Sequence, residues 1–164
     1  MRILGIDPGT SRMGYGLIEA NGSLKLIKYG TIETSEKLLK DKIFSLSVSL
    51  NAILKELAPE LVAVEKLFFS KNRKTALDVA QARGAILSIL TKTSIPIVEY
   101  SPNEVKLQVT GYGFTDKLGV AKMVKAILGV DELAGHDDAS DALAVAITAA
   151  NMRRLYGGVD TRIS

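Results

Sequence analysis

The chain has 164 residues, 47% of them hydrophobic, with a formal net charge of +3 and no cysteine. That length suits one domain with a buried core, and the apolar content excludes a disordered chain. Zero cysteines exclude a disulfide framework and a thiolate metal site. No run reaches the eighteen or so apolar residues of a membrane helix and the N-terminus lacks a signal-peptide layout, so a cytoplasmic protein without a membrane partner is expected.

Residues 2–6 (RILGI) form a short apolar run ended by an Asp-Pro-Gly turn signal. Residues 13–19 and 24–33 read as strands joined by the hairpin signal Asn21-Gly22. Leu39, Ile43, Leu46, Leu50, Ile53 and Leu57 then recur at steps of three and four, an amphipathic helix with Thr34 or Ser35 as the expected N-cap and Pro59 beyond its end. The continuous apolar run 61–64 (LVAV) suits a central strand covered on both faces.

Residues 73–92 read as a helix whose polar positions Lys74, Asp78, Gln81, Ser88 and Lys92 fall within an arc of about 80°. A helix that apolar is either sandwiched inside the fold or packed along one flank against a second subunit. A strand over 95–100 follows, then a helix from about Pro102, a glycine-rich loop over 110–115 and a helix to about Leu128. A loop over 129–137 leads to a last helix, from about Asp137 to Leu155. Three antiparallel strands followed by alternating helices and strands predict an α/β fold, a mixed five-stranded sheet with helices on both faces. Residues 1–156 are expected to form one domain and 157–164 a loose tail.

Four acids stand where hydrophobic patterning expects something else. Asp7 ends the first strand, Glu65 follows the fourth, and Asp138 and Asp141 lie three residues apart at the start of an Ala-rich helix, on one helical face. Turn and helix capping account for Asp7 and Asp138 taken singly, but not for Asp141 inside the helix. Converging carboxylates repel one another unless a cation joins them, and hard divalent cations favour oxygen ligands. Four carboxylates fit a pair of Mg²⁺ ions, the arrangement used for in-line displacement at phosphate, with Mn²⁺ as the natural substitute. Charge supports a polyanion partner: between Lys66 and Lys125 ten Lys/Arg face four acids, a local +6 that leaves the remainder at −3.

The stretches "ILGIDPGTSRMGYG", "VEKLFFSKNRKTALDVAQARG", "VKLQVTGYGFTDK" and "DDASDALAVAIT", in that order, resemble the RuvC family of Holliday junction resolvases. The resemblance implies an RNase H-like fold and a homodimeric crossover junction endodeoxyribonuclease. Such an enzyme makes paired symmetric nicks in four-way junction DNA during recombination and repair, and has the RuvA–RuvB branch-migration complex as a further partner. By the family pattern Asp7, Glu65, Asp138 and Asp141 correspond to the Mg²⁺-binding catalytic acids. Asp137 is then left as a cap, although its i, i+4 spacing from Asp141 also permits convergence. Phe68 resembles a wedge that stacks on bases at the junction centre, followed by the phosphate-binding run Lys71, Asn72, Arg73 and Lys74. Lys106 and Lys117 match lysines near the scissile strand, with Lys117 counted among the catalytic groups. Phe69 is expected in the core, Arg83 in packing or the dimer, and His136 in a loop.

Three other readings compete. An actin/Hsp70-like ATPase opens with a similar acidic turn but needs a second domain. A YqgF-like nuclease acting on RNA shares the fold and Asp7 but not the long "KNRKTALDVAQARG" segment. A non-catalytic junction-binding protein would hold only a structural ion.

Overall fold

The structure, a computed structural model, describes residues 1–67 and 73–155, without the side chains of residues 73–75. Phe68, Phe69, Lys71, Asn72, the side chains of Arg73 and Lys74, and the tail 157–164 lie outside the described residues. The elements run β1 (Arg2–Asp7), β2 (Arg12–Asn21), β3 (Ser23–Glu33), α1 (Leu39–Leu57), β4 (Leu61–Glu65), α2 (Arg73–Leu90), β5 (Ile97–Tyr100), α3 (Pro102–Thr110), α4 (Lys117–Leu128) and α5 (Asp137–Leu155).

The strands form one sheet in the order β3-β2-β1-β4-β5. β1 and β2, and β2 and β3, pair antiparallel, whereas β4 runs parallel to β1 and β5 parallel to β4. The expected mixed sheet is therefore observed. Its two-residue period sorts the side chains: Ile3, Leu61, Ala63, Val98 and Tyr100 pack against α3, α4 and α5. Leu4, Ile6, Val62, Val64 and Ile97 turn to the other face, toward α1 and α2. α5 is buried all round, from Ala139 to Met152, because its Ala-rich surface lets sheet and helices close on it from every side.

Several boundaries differ from expectation, each for a local reason. The first helix starts at Leu39 with Leu38 at the N-cap and no side-chain cap, because Thr34 and Ser35 still belong to the link from β3. The Thr34 hydroxyl instead accepts from the Glu36 N–H at 3.3 Å. α2 stops at Leu90, where Lys92 and Thr93 donate to Ile89 and Leu90, tightening the last turn. The last strand begins at Ile97 because Pro96 has no N–H for the ladder; its carbonyl accepts from Val62 at 3.0 Å.

The sandwiched alternative for α2 fails. Ala82, Ile86 and Leu90 are buried, but Leu77, Gln81, Gly84 and Ser88 form an exposed stripe. Among the described residues no helix is long and apolar enough to cross a membrane.

Candidate metal and nucleic-acid site

Parallel pairing of β1 with β4 sets Ile6 beside Val64, so Asp7 and Glu65 emerge next to each other at the C-terminal ends of two central strands. The strand period puts Asp7 on the face of Ile3 and Gly5, and Glu65 on the face of Leu61 and Ala63, both toward α5. α5 reaches them because two glycines let it lie on the sheet. A Cβ at Gly5 would stand 1.9 Å from the Ala142 carbonyl oxygen, and one at Gly14 would stand 1.9 Å from that of Asp138. Since Gly14 is also the cross-strand partner of Asp7, the first turn of α5 is pressed onto the end of β1.

The result is a half-buried negative cluster. The Asp7 carboxyl is pushed up to about 8, first by burial, then by the charges of Glu65, Asp141 and Asp138. Burial and the Asp141 charge also raise Glu65, while its hydrogen bond with Asp7, Lys117 and Lys106 pull the other way. Crowding and burial thus favour a proton shared by the Asp7–Glu65 pair. Asp141 is raised by burial against the opposing pull of Lys117.

Two cations face the helical acids. Lys117, first residue of α4, has Nζ 2.8 Å from Asp141 and 3.7 Å from Asp137. Burial works to lower the Lys117 pKa, but the hydrogen bond and charge of Asp141 outweigh it and raise it. Arg12 lies 3.3 Å from Asp138 and also 3.1 Å from His136, whose other nitrogen is 2.8 Å from Glu33. Lys106 and Lys117 line a cavity of about 260 Å³ with Glu65, Val105 and Asp141.

The structure therefore brings Asp7, Glu65, Asp138, Asp141, Lys106 and Lys117 together at the C-terminal ends of β1 and β4. Asp137 stays outside the cluster, 82% exposed in the first turn of α5. Arg83 is a packing residue, ion-paired with Glu99 and donating to the Glu65 carbonyl at 3.3 Å, which anchors the end of β4. His136 is tied to neighbours on two sides. Sequence reasoning missed Arg12 and the role of Gly5 and Gly14. Glycines at 5, 14 and 16, in two adjacent strands, are the signal that a helix presses on that face.

Among the described residues no three His, Asp or Glu side chains already surround a common point. Arg12 and Lys117 hold Asp138 and Asp141 aside. The donor set nevertheless fits hard divalent cations: oxygen ligands only, half-buried, and at odds with one another in charge, which raises the Asp7 pKa.

The family model "Crossover junction endodeoxyribonuclease RuvC" matches residues 3–149. The chain is 49% identical to the RuvC of Caldicellulosiruptor saccharolyticus, over 90% of each chain. It is 46% identical to the RuvC of Syntrophomonas wolfei, over 94% of this chain and 91% of that one. Among solved structures it is similar to Thermus thermophilus RuvC in complex with a Holliday junction substrate, at 33% identity and a TM-score of 0.87 over 96% and 97% of the two chains.

Proposed function

The chain belongs to the RuvC family of crossover junction endodeoxyribonucleases, and from that premise we propose that it resolves four-way DNA junctions by metal-dependent hydrolysis of phosphodiester bonds. The observation that carries the reading is the convergence of Asp7, Glu65, Asp138 and Asp141 at the C-terminal ends of β1 and β4, with Lys117 on Asp141. Neither an RNA substrate nor a purely structural ion is favoured, since the relatives named above are DNA junction endonucleases.

The four carboxylates would hold two Mg²⁺ ions, or Mn²⁺ in their place. When bound, such a pair supplies an activated water and neutralises charge on the leaving oxygen. The rest falls to the chain's own groups. Asp7 must shed its proton to become a ligand, so cation binding releases a proton and strengthens with pH. Lys117 is placed to exchange its Asp141 partner for an oxygen of the scissile phosphate and so offset developing charge. Lys106, on the same cavity, orients that phosphate. Phe68, as wedge, and Lys71, Asn72, Arg73 and Lys74, as phosphate contacts, complete the DNA surface by family correspondence. The nuclease domain spans residues 1–156.

Two opposed nicks need two sites, and the unpartnered helical layer suits a homodimer. Leu77 on α2 is 62% exposed and Phe44 on α1 is 71% exposed, with Val48 one turn beyond Phe44. An engagement with the RuvA–RuvB complex follows from the family alone.

Asp7→Asn tests the assignment. We expect it to bind a synthetic four-way junction as the wild type does and to lose cleavage in Mg²⁺ by at least about 10³-fold. Cleavage at a normal rate would overturn the catalytic assignment of the acid cluster.

A further inference from the structure

The loop from Gly111 to Asp116, between α3 and α4, carries a feature that the acid cluster and its lysines do not use. Tyr112 and Phe114 are 62% and 84% exposed, and they are the one ring pair in contact among the described residues. Their centroids lie 5.7 Å apart with ring planes tilted by 57°, an edge-supported geometry rather than a parallel stack. Leu118, at the start of α4, is 81% exposed beside them in sequence.

The loop that presents these rings is built, not slack. Gly111 closes α3 in the left-handed conformation, with its N–H donating to the Leu107 carbonyl at 2.8 Å. Thr110 and Thr115 face each other across the loop at 2.8 Å, and the Thr115 hydroxyl donates to the Tyr112 carbonyl at 2.8 Å. Asp116 then caps α4 by accepting from the Gly119 N–H at 2.8 Å. A pinned loop that holds two rings in water forgoes their burial, which has a use where a flat apolar partner arrives.

Charge identifies that partner. Lys106 precedes the loop and Lys117 follows it, and both line the cavity faced by Glu65 and Asp141. An aromatic pair on a loop whose two ends lead to lysines lining the cavity of Glu65 and Asp141 fits a nucleic acid base whose own phosphates reach those lysines. A protein partner would have no need of that cationic frame.

Resting on the nuclease reading above, we propose that Phe114, braced edge-on by Tyr112, is a stacking platform for an unstacked base of the junction strand that Lys106 and Lys117 hold. Phe114 is then a positioning residue. It fixes the nucleotide next to the scissile phosphate without touching the reacting atoms. Tyr112 keeps the Phe114 ring from folding back onto the loop. Stacking of this kind tolerates many sequences because every base has a π-face.

The test uses the full-length protein and a synthetic four-way junction with 2-aminopurine placed in turn at the nucleotides flanking the cut. In EDTA, Phe114→Ala should bind about tenfold more weakly, with the slope of log K against log salt unchanged, because no phosphate contact is lost. The 2-aminopurine quenching at one flanking position should disappear, and Phe114→Tyr should restore both. In Mg²⁺ the loss should appear in KM rather than kcat. The melting temperature should not move, given the exposure of the ring. Binding within twofold of the wild type, an altered salt slope, or quenching that survives Phe114→Ala would each overturn the platform. So would loss of self-association without DNA, which would assign the rings to a second copy of the chain. If the wild type itself fails to cut the junction, the nuclease reading has failed; if it cuts and Phe114→Ala changes nothing, only the platform has.

Discussion

The two helical layers of this protein are built from similar amounts of apolar sequence and put it to different uses. On one face of the sheet, α5 is largely buried from Ala139 to Met152 and is closed in by α3, α4 and the sheet. On the other face, α1 and α2 bury one side each and leave Phe44, Val48 and Leu77 in solvent. The first layer tolerates little movement, and at its open end it holds four carboxylates together against their repulsion. The second layer is stable without filling its outer surface, which leaves that surface free for association. The closely packed layer carries the acid cluster, and unpartnered apolar area sits on the far side of the sheet.

The sharpest way to break this contrast is to place the same methyl group in each layer. Gly5→Ala pushes a Cβ to 1.9 Å from the Ala142 carbonyl oxygen, so α5 must lift from the sheet. We expect a loss of about 3 kcal/mol or more in urea unfolding, with cleavage falling further than stability because Asp138 and Asp141 retreat. Gly84→Ala on the exposed flank of α2 meets nothing within 4 Å and removes a helix-interior glycine. It should stabilise the monomer by up to about 1 kcal/mol. Equal effects at both positions would refute the contrast.

A second, smaller effect concerns charge in the rigid layer. Asp7 titrates near 8 in the folded protein and in the ordinary carboxylate range when unfolded. Between those values the folded state binds the extra proton, so without divalent cation this contribution is fully present below about pH 4 and is lost as pH rises through 8. Asp7→Asn should therefore stabilise the metal-free protein increasingly as pH rises from about 4 to about 8, and by nearly nothing at pH 4. A pH-independent loss of stability would instead mark Asp7 as a turn cap.

The mildest perturbation sharpens the other side. Phe44→Ser with Leu77→Ser should leave the melting temperature within a few degrees, as both side chains are exposed. Sedimentation equilibrium should show the dissociation constant of the dimer proposed above raised by tenfold or more. An unchanged constant would place the dimer interface elsewhere.

Much of this was legible in the residues themselves. A period of three to four marked α1 and α2, a continuous apolar run marked β4, and turn signals set off the opening strands, because each element must turn an apolar face inward wherever it ends up. The acids at 7, 65, 138 and 141 stood out because they interrupt those periods. Boundaries shifted where a local bond competed, as at Thr34, whose hydroxyl accepts from Glu36 within the link rather than capping a helix.

What the sequence determined by itself was local and periodic: the element types, the face each residue serves, and the misplaced carboxylates. Only the tertiary structure decided that Asp138 and not Asp137 belongs to the cluster, that Arg12 holds Asp138, and that Lys117 reaches Asp141. Those contacts join residues more than twenty and more than a hundred positions apart, and they depend on how closely α5 can approach the sheet. Gly5 and Gly14 set that approach through the absence of a side chain, which hydrophobic periodicity does not register.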